Sequence, residues 1–220
     1  MNTAVVLFAY QRPEYLKRAL KSHTKIDADY FAFVDYSDIN DEIAMIIFES
    51  NKYNVITYRE RRFGLNRNII EGLNTVFCCD YDAVIVLEDD LVISYDALQW
   101  LHYQLWKLKD YKHIGSVSLC KGGMLDKDFK CWGWATWKDR WEEVKWNPGD
   151  TRSWDIQLDE YFKSKNLFCY CSPIKRSKHI GNKGTHHKWY SKFSVRQYAG
   201  RVKDKAVSYT HLTLPTTPYV

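Results

Sequence analysis

Short apolar runs alternate with amphipathic segments along the first half of the chain. The apolar runs predict buried strands over residues 4–10, 30–34, 53–58, 83–87 and 113–119. Between them, apolar side chains recur at helical spacing and predict helices over residues 13–22, 41–49, 64–77 and 95–108. Strands that alternate with helices indicate an α/β fold, with a mostly parallel central sheet and helices on both of its faces.

The second half of the chain has a different texture. Residues 121–131 contain a Gly-Gly pair and predict a hairpin or a lid. A tryptophan-rich stretch follows, CWGWATWKDRWEEVKW, in which Thr136 and Asp139 resemble a capping box and predict the start of a helix. Trp137 and Trp141 would then lie one turn apart, and we expect both in the core.

The remaining sequence divides into three segments. Residues 150–165 predict a further helix, and the Gly-, His- and Lys-rich sequence after Pro173 predicts a loop over a site. The last fourteen residues, VSYTHLTLPTTPYV, contain no Asp, Glu, Lys or Arg and show neither a helical nor a strand period. We therefore interpret residues 207–220 as a non-native tail, which would leave the natural C-terminus missing.

The composition fits an ordinary globular domain of 220 residues. Hydrophobic residues make up 45% and charged residues 27%, which excludes disordered, collagen-like and coiled-coil chains. The formal net charge of +5 suits an anionic ligand or an acidic membrane surface and is too small to indicate nucleic-acid binding. Aromatic residues, at 16%, suit sugar or base binding and also fill cores.

Nothing in the sequence predicts a membrane span or an exported protein. The apolar runs are far shorter than the ~18 residues of a transmembrane helix, and the N-terminal MNTAVVLFAY lacks the basic start of a signal peptide. The six cysteines do not have zinc-ligand spacing, so we interpret them as reduced, mostly buried thiols. These features predict a cytoplasmic protein, and peripheral contact with the inner membrane face stays open.

Charged side chains follow three of the predicted strands at their carboxyl ends. Arg12 comes after the first strand, Asp35 after the second, and the acidic triplet Glu88-Asp89-Asp90 after the fourth. Because ligands of such sheets bind at the carboxyl ends of strands, we expect these side chains to converge on one site. Three adjacent carboxylates repel each other unless a cation is near, and their oxygen atoms suit Mg²⁺ or Mn²⁺. The acids could instead simply cap the strand.

Several motifs in a fixed order resemble those of the GT-A glycosyltransferases. AYQRPEYLKRAL is similar to the first strand and helix of that class, FVDYSD to the end of its second strand, and GLNRNIIEGLNTVF to the helix before its metal-binding strand. VIVLEDDLVIS matches its EDD motif, CWGWATWKDRW with the later SWD resembles its acceptor-side segment, and IGNKGTHH resembles its closing loop. The nearest comparison is the N-acetylglucosaminyltransferase I family with its bacterial sugar-transferase relatives. The resemblance covers residues 4–189.

The resemblance implies roles for side chains that would bind a nucleotide-sugar. Arg12 and Asp35 match positions that hold the uracil of a UDP-sugar, and Asn68 falls near the nucleotide, where the family carries a His. Glu88 and Asp89 match residues that face the ribose and the donor sugar. Together these positions predict the donor pocket.

The resemblance also implies a metal ligand and a catalytic base. Asp90 matches the metal-binding acid, through which Mn²⁺ or Mg²⁺ bridges the diphosphate, and Thr185 falls where a Ser contacts the phosphates. Asp155 matches the base that deprotonates the acceptor, with Asp159 and Glu160 as the alternatives. Asp155 could instead serve only as an acidic residue that stabilises the first turn of a helix.

Other charged residues have less defined places. We interpret Arg59 and Arg61 as solvated surface residues, while Arg67 could reach a phosphate. The basic sequence from Lys175 onward could close over the diphosphate or contact an acidic membrane surface. One histidine is implied near the metal or the diphosphate, from among His179, His186 and His187.

As a whole, the resemblance implies a metal-dependent, inverting glycosyltransferase. Residues 1–119 would form the nucleotide-sugar-binding half, and residues 120–206 the acceptor-side half with the closing loop, within one domain. The donor would be a UDP-sugar, and the acceptor a hydroxyl of a glycan or a lipid-linked glycan in the synthesis of a bacterial surface polysaccharide. No nucleic-acid partner is expected.

Two other interpretations stay open. A sugar nucleotidyltransferase shares the α/β donor fold, although AYQRPEY lacks the Gly-rich loop with a basic residue that such enzymes carry after the first strand. A non-catalytic or truncated relative would bind a sugar or a nucleotide without turning it over. No GxGxxG follows the first strand and no P-loop motif is present, which excludes a Rossmann dinucleotide site and a P-loop NTPase.

Overall fold

A mixed sheet of eight strands is the centre of residues 1–181, the part of the chain that the structure, a computed structural model, describes. The strands of this range are β1 (Thr3–Ala9), β2 (Asp29–Val34), β3 (Val55–Tyr58), β4 (Ala83–Glu88), β5 (Leu91–Ile93), β6 (Ile114–Lys121), β7 (Leu125–Asp126), β8 (Trp134–Trp137), β9 (Phe168–Ser172) and β10 (Ser177–His179). The helices are α1 (Pro13–Ser22), α2 (Asn40–Glu49), α3 (Leu65–Cys78), α4 (Ala97–Leu108), α5 (Lys138–Glu142) and α6 (Trp154–Lys165). The sheet order is β3-β2-β1-β4-β8-β6-β9-β7, and β5 pairs separately with β10.

The parallel part of the sheet confirms the α/β prediction. β1 pairs in parallel with β2 and β4, and β2 pairs in parallel with β3, while β8 runs antiparallel between β4 and β6. Every strand and helix predicted in the first half is present, and their ends differ from the prediction by no more than two residues. The four parallel strands β1 to β4 therefore end at the same edge of the sheet.

Strand β1 shows why helices cover both faces of the sheet. All of its residues are buried: Val5 and Leu7 join the core beneath α1, α2 and α4, and Val6 and Phe8 join the core beneath α3, α5 and α6. Alternate side chains of a strand point to opposite faces, so a strand buried on both faces forms a continuous apolar run. This burial explains why the apolar run was recognisable as a strand.

The tryptophan-rich stretch forms a strand where a helix start was predicted. Thr136 lies inside β8, and its Oγ1 donates a hydrogen bond to the carbonyl oxygen of Gly115 (2.8 Å). The capping-box prediction was wrong because strands on both sides satisfy the backbone of β8, and α5 begins only at Lys138. Trp137 and Trp141 are both buried, as expected, but they lie in the cores on opposite faces of the sheet.

The chain after α6 forms two strands, and the second of them, β10, lies within the segment after Pro173 where a loop was predicted. β9 pairs with β6, and β10 pairs with β5 so that His179 lies opposite Leu91. Within residues 121–131, the short β7 pairs with β9 rather than forming a hairpin with β6. A buried ion pair between Arg176 and Asp96 (2.9 Å) anchors this segment to the start of α4. As a result, β10 lies beside the acidic triplet.

Membrane spans and disulfides are both missing from residues 1–181. No helix in this range has the length and the apolar character that a span requires. The six cysteines are all free, as expected for thiols, but only three of them are buried, fewer than the prediction of mostly buried thiols implied. Cys120, Cys169 and Cys171 are buried, whereas Cys78 and Cys79 are exposed.

Candidate active site

A cleft of about 290 Å³ opens at the edge of the sheet where β1, β2 and β4 end. Tyr10, Arg62, Gly64 and His179 contribute to its wall. Of the residues to which the sequence gave a donor or metal role, the cleft is lined by Arg12, Asp35, Asn68, Glu88, Asp89 and Asp90. The fold thus brings together six predicted side chains that are as many as 78 residues apart in the chain.

The acidic triplet lies at the end of β4 and against the end of β1. The backbone N–H of Asp89 donates to the carbonyl oxygen of Phe8 (3.0 Å), and the backbone N–H of Tyr10 donates to Oδ2 of Asp89 (2.9 Å). Asp89 and Asp90 are 1% and 2% exposed, whereas Glu88 is partly exposed. Two almost completely buried carboxylates therefore follow each other at the tip of the strand.

Arg12 brings a positive charge to the triplet. It immediately precedes Pro13, the first residue of α1, and its guanidinium pairs with Asp90 (2.5 Å) and with Asp89. Nη1 contacts one carboxylate and Nη2 the other, so the planar guanidinium bridges the two acids. Arg12 thereby links the end of β1 to the turn after β4.

One guanidinium does not balance three carboxylates. Burial and the charges of Asp90 and Asp89 raise the pKa of Glu88, and burial also raises the pKa of Asp89 despite its pairing with Arg12. Burial would raise the pKa of Asp90 as well, but the hydrogen bond with His179 and the charge of Arg12 outweigh it and lower that pKa. Asp90 is therefore held in the ionised form, which is the form that binds a metal ion.

Asp90 also has an oxygen atom that a metal ion would satisfy. Its Oδ2 lies 3.1 Å from Nε2 of His179, while its Oδ1 is buried and has no hydrogen-bond partner among the residues that the structure describes. A buried carboxylate oxygen without a partner is costly, and a cation would remove that cost.

The residues around Asp90 fit a divalent ion, although they do not enclose one. Carboxylate oxygen suits Mn²⁺ or Mg²⁺, and imidazole is a common additional ligand. Within residues 1–181, no three His, Cys, Asp or Glu side chains form a complete metal site. Water or phosphate oxygen atoms would have to complete the coordination, as is usual for Mg²⁺ sites that bind nucleotides.

His179 reaches the triplet through the pairing of β10 with β5. Its strand partner is Leu91, the residue directly after Asp90. The ring of Trp132 stacks on the imidazole, with the ring centroids 5.4 Å apart. His179 is thus the described member of the three histidines that the sequence offered.

Asp35 holds the loop that precedes α3. Its Oδ1 accepts hydrogen bonds from the backbone N–H groups of Phe63 (2.8 Å) and Tyr36 (3.0 Å), and its Oδ2 accepts one from Gly64 (2.9 Å). Gly64 has a φ of +76°, a conformation that favours glycine. The carboxylate lines the cleft and already binds this backbone, and its contact with a nucleotide base stays a prediction.

Arg59 fixes the side chain of Asn68. Nε of Arg59 donates to Oδ1 of Asn68 (2.9 Å), and the guanidinium packs over the rings of Phe33 and Phe63, 5.2 and 4.6 Å from their centroids. The interpretation of Arg59 as a solvated surface residue was wrong, because two aromatic rings and a buried amide surround it. Asn68 lines the cleft in the orientation that this contact allows.

Arg62 is a residue of the cleft to which the sequence gave no role. Its guanidinium lies over the ring of Tyr10, 5.4 Å from the centroid, and both residues line the cleft. Arg67, which was the candidate for phosphate contact, instead pairs with Glu71 (2.5 Å) and packs over Phe63. The sequence alone does not distinguish Arg59, Arg61, Arg62 and Arg67, and the fold shows that Arg62 is the one of these four that lines the cleft.

Asp155 lies in the first turn of α6 and close to the triplet. Ser153 donates a hydrogen bond from Oγ to its carboxylate. In addition to burial and the charges of the adjacent acids, the charge of Asp155 raises the pKa of Glu88. Asp155 is thus an acidic residue in the first turn of a helix, and its charge also acts on Glu88 of the cleft, so its role as the base stays a prediction.

The alternatives to Asp155 have partners elsewhere. Asp159 accepts a hydrogen bond from the backbone N–H of Phe129 (2.7 Å), and Glu160 pairs with Arg152. None of the three carboxylates of α6, Asp155 included, lines the cleft that the described residues form. Of the three carboxylates of α6, Asp155 is thus the one whose charge acts on the triplet.

Asn66 ties the start of α6 to the start of α3. Its Oδ1 accepts a hydrogen bond from the backbone N–H of Trp154 (2.8 Å), and its Nδ2 donates to the carbonyl oxygen of Arg152 (2.9 Å). Ser153, the N-cap residue, makes no side-chain cap of its own, so Asn66 satisfies a backbone donor of the first turn. Sequence analysis missed Asn66 because the contact joins residues 88 positions apart.

Several predicted features lie outside the described residues. They are Thr185, His186, His187, the other closing-loop residues from 182 onward and the segment 207–220. Their roles stay predictions.

Comparison with known proteins identifies the fold. No protein-family model and no curated protein sequence matches the chain, but solved structures do. The mannosyltransferase PcManGT from Pyrobaculum calidifontis, in complex with GDP-Man and Mn²⁺, matches with a TM-score of 0.65 and 13% identity, over 84% of this chain and 59% of that chain. S. aureus TarS 1-349, in complex with UDP-GlcNAc, matches with a TM-score of 0.62 and 14% identity, over 90% of this chain and 64% of that chain. A cytidylyltransferase from Leptospira borgpetersenii matches with a TM-score of 0.56 and 13% identity, over 80% and 77%.

The chain has a GT-A fold. At this level of identity the likeness shows the fold alone, so the resemblance of this GT-A chain to the N-acetylglucosaminyltransferase I family stays a prediction. The GT-A chain spans about three fifths of the length of the mannosyltransferase and TarS chains that it matches.

Proposed function

We propose that this GT-A chain is a metal-dependent, inverting glycosyltransferase that moves a sugar from a nucleotide-diphosphate donor, a UDP-sugar, to a hydroxyl of a glycan or a lipid-linked glycan. The observation that carries the proposal is the buried Oδ1 of Asp90, which has no partner among the described residues and belongs to a carboxylate beside His179. The same cleft holds Arg12, Asp35 and Asn68. Mn²⁺ and UDP-GlcNAc in matching structures support the assignment.

Asp90 and His179 would hold the divalent ion. When bound, such an ion acts as a Lewis acid that neutralises the charge developing on the departing diphosphate. Arg12 and Arg62 line the same cleft and offer guanidinium groups to phosphate oxygen atoms, while the contact of Arg12 with the uracil, which the resemblance implies, stays a prediction. Glu88 and Asp89 would face the ribose and the donor sugar, while Asp35 and Asn68 would lie on the side of the base.

Asp155 would take the proton from the acceptor hydroxyl. It comes from α6, a different element from the triplet, and its charge contributes to the raised pKa of Glu88. A single base that acts opposite the leaving group leads to in-line displacement with inversion, whereas retention in glycoside hydrolases uses a second carboxylate as nucleophile. Asp159 and Glu160 have other partners, which supports a mechanism with one base.

A sugar nucleotidyltransferase is the second candidate, and the match to a cytidylyltransferase is the observation that favours it. Such an enzyme binds the triphosphate with a Gly-rich loop and a basic residue after the first strand. In this chain, Pro13 begins α1 directly after Arg12, so a helix replaces that loop. The arrangement after β1 thus supports the transferase over the nucleotidyltransferase.

A screen of donors distinguishes the candidates. We expect slow Mn²⁺-dependent release of UDP from a UDP-sugar by the purified chain, and its loss in Asp90→Asn. Asp110→Asn removes an exposed carboxylate that does not line the cleft and serves as the matched control. GDP- and dTDP-sugars test the base, and a nucleoside triphosphate with a sugar 1-phosphate tests the second candidate through pyrophosphate release. Absence of UDP binding in calorimetry, with and without Mn²⁺, would overturn the proposal.

The cellular setting is a proposal of its own. We propose that the enzyme is cytoplasmic and acts in the synthesis of a bacterial surface polysaccharide. It would contact an acidic membrane surface as a peripheral protein, without inserting into the membrane. Arg176 does not belong to that surface, because it is 3% exposed and pairs with Asp96, whereas Lys178 is partly exposed. Sedimentation with vesicles that contain anionic lipid, compared with neutral vesicles, tests the contact.

A further inference from the structure

Arg12 contacts the two buried carboxylates of the acidic triplet, Asp89 and Asp90. Its guanidinium contacts Oδ2 of Asp90 (2.5 Å), the same oxygen atom that lies 3.1 Å from Nε2 of His179, and it also contacts Asp89. The side chains of the two acids are 2% and 3% exposed, so water does little to neutralise them. Arg12 is thus a principal positive charge on these carboxylates in the described structure.

A divalent ion and this guanidinium compete for the same carboxylate. Two cations next to one Asp90 repel each other, and the repulsion is strong where little water screens it. Gly181 packs against the pair from the other side, since a Cβ at that position would overlap Oδ2 of Asp90 and approach Nη1 of Arg12 to 3.1 Å. A second cation therefore has little free space at Oδ2, and one that binds at Oδ1, the oxygen atom without a partner, would lie on the carboxylate that already holds the guanidinium.

We propose that Arg12 is an internal counter-cation, which holds Asp90 while no nucleotide is bound and has to leave it before a divalent ion binds. The inference rests on the proposed function and adds to it that the metal binds well only together with the nucleotide. Arg12 acts through Asp90 in this step and is a positioning residue.

The nucleotide offers Arg12 another partner. The Arg12 side chain is 26% exposed and lines the cleft, so it can turn toward a bound ligand without crossing the core. Diphosphate oxygen atoms accept the two parallel hydrogen bonds that a guanidinium presents, as the carboxylates do. Since binding free energies are reciprocal, a nucleotide that draws Arg12 away raises the affinity for the metal, and the metal raises the affinity for the nucleotide.

The test measures Mn²⁺ binding by the electron paramagnetic resonance signal of the free ion, with and without UDP. Wild type is compared with Arg12→Met and with Arg62→Met, the matched control. Both variants remove one positive charge from the same cleft, but Arg62 packs on Tyr10 rather than on the triplet. Without UDP, we expect Arg12→Met to bind Mn²⁺ about tenfold more tightly than wild type, within the usual range of coupling between sites, and Arg62→Met to stay close to wild type.

The gain in Mn²⁺ affinity on adding UDP gives a second criterion. We expect this gain to be several-fold smaller in Arg12→Met, because the competing cation is already absent. Arg12→Lys keeps a positive charge that cannot bridge both acids. Its gain in Mn²⁺ affinity should lie between the gains of wild type and Arg12→Met. If circular dichroism shows that Arg12→Met does not fold, the comparison of Arg12→Lys with wild type tests the inference instead.

The outcomes separate the inference from the proposed function. Equal Mn²⁺ affinity of wild type, Arg12→Met and Arg12→Lys without UDP would overturn the inference alone, as would an equal increase in Arg62→Met. If no protein bound Mn²⁺ even with UDP present, the proposed function would fail together with it.

Discussion

At the scale of single residues, Asp155 differs from the other carboxylates near the cleft. It comes from α6, and it has Ser153 rather than Arg12 as its partner. We expect Asp155→Asn to keep its affinity for UDP with Mn²⁺ and to lose transfer by roughly 10²–10⁴-fold, the usual contribution of a general base. Calorimetry measures the first quantity, and UDP release in the presence of an acceptor measures the second.

Asp159→Asn is the control for this substitution. It changes the same residue type on the same helix, but its carboxylate accepts a backbone hydrogen bond from Phe129. Transfer should persist in this variant, although its unfolding temperature can fall. Unchanged turnover in Asp155→Asn would rule out the base assignment.

The backbone of Gly181 packs directly against Asp90 of the acidic triplet. A Cβ there would overlap Oδ2 of Asp90, so Gly181→Ala has to displace either β10 or the pair between Asp90 and Arg12. We expect a loss of about 1–3 kcal/mol in the free energy of unfolding, as for other overpacked sites, and weaker Mn²⁺-dependent UDP binding. Chemical denaturation and calorimetry measure these two quantities.

Gly123→Ala provides the comparison for Gly181→Ala. A Cβ at Gly123 meets only the carbonyl oxygen of Leu125, at an ordinary 3.8 Å. This variant should change neither the stability nor the binding by much. Equal behaviour of the two alanine variants would show that the contact of Gly181 with Asp90 is unimportant.

The position of a residue relative to a strand end decided which site residues the sequence could predict. Arg12, Asp35 and the triplet follow apolar runs, and parallel strands bring such ends to one edge. Arg62 and Asn66 escaped prediction because only the path of the loop before α3 and the docking of α6 place them. His179 was one of three candidates until the pairing of β10 with β5 placed it beside Asp90.

At the scale of elements, Asn66 joins α3 to α6. Asn66→Ala removes the acceptor for the backbone N–H of Trp154 and the donor to the carbonyl of Arg152. We expect a loss of about 1–2 kcal/mol, as for other helix caps, and a lower rate of transfer because Asp155 follows Trp154 in the same turn. Chemical denaturation and UDP release measure the two effects.

Asn54→Ala is the matched substitution for Asn66→Ala, because Asn54 is exposed and lies outside both helices. It should leave the stability and the rate nearly unchanged. A rate in Asn66→Ala equal to that of wild type would show that α6 is positioned without this tie.

The junction between α1 and β3 gives the fold a dependence on pH. His23 directly follows α1 and is 2% exposed, and its Nδ1 lies 2.9 Å from the hydroxyl of Tyr53. Burial and the charge of Lys52 lower the pKa of His23 from 6.5 to about 3. Between these values the unfolded chain binds a proton that the folded chain does not, so stability falls as the pH decreases, by about 1 kcal/mol per pH unit from this group.

The pH dependence is measured by urea unfolding of wild type and His23→Gln between pH 4 and pH 7. As the pH decreases, we expect the free energy of unfolding to fall less steeply in His23→Gln than in wild type. The difference between the two slopes should be about 1 kcal/mol per pH unit, the contribution of His23. Asn54→Gln, which changes an exposed side chain that does not titrate, should keep the slope of wild type. Parallel slopes for wild type and His23→Gln would contradict the burial of a neutral His23.

Elements buried on both faces were predictable, and elements inserted between them were not. β1 is apolar throughout because helices cover both of its faces. Thr136 and Asp139 have the spacing of a capping box, but β4 and β6 offer hydrogen bonds to both edges of β8, and sheet pairing wins. The local sequence of β8 cannot show that a place in the sheet is open between β4 and β6, because those two strands lie elsewhere in the chain.

At the scale of the whole molecule, β8 joins the two halves that the sequence suggested. It comes from the second half and pairs with β4 of the first half and with β6. Trp134, Trp141 and Phe162 fill the core beneath α3, so the face of the first-half strands is covered by second-half side chains. The position of α6, which carries Asp155, depends on the same packing, because Trp154, Leu158 and Phe162 of α6 belong to this core.

This shared sheet predicts that residues 1–181 unfold in one step. We expect far-ultraviolet circular dichroism, which follows both halves, and tryptophan fluorescence, which follows mainly the second half, to give the same midpoint in urea. Residues 1–119 expressed alone should not fold, because β4 loses β8 at its edge and the core loses Trp134 and Trp141. Two separate midpoints, or a fragment 1–119 that unfolds cooperatively, would instead show that the first half is stable without β8.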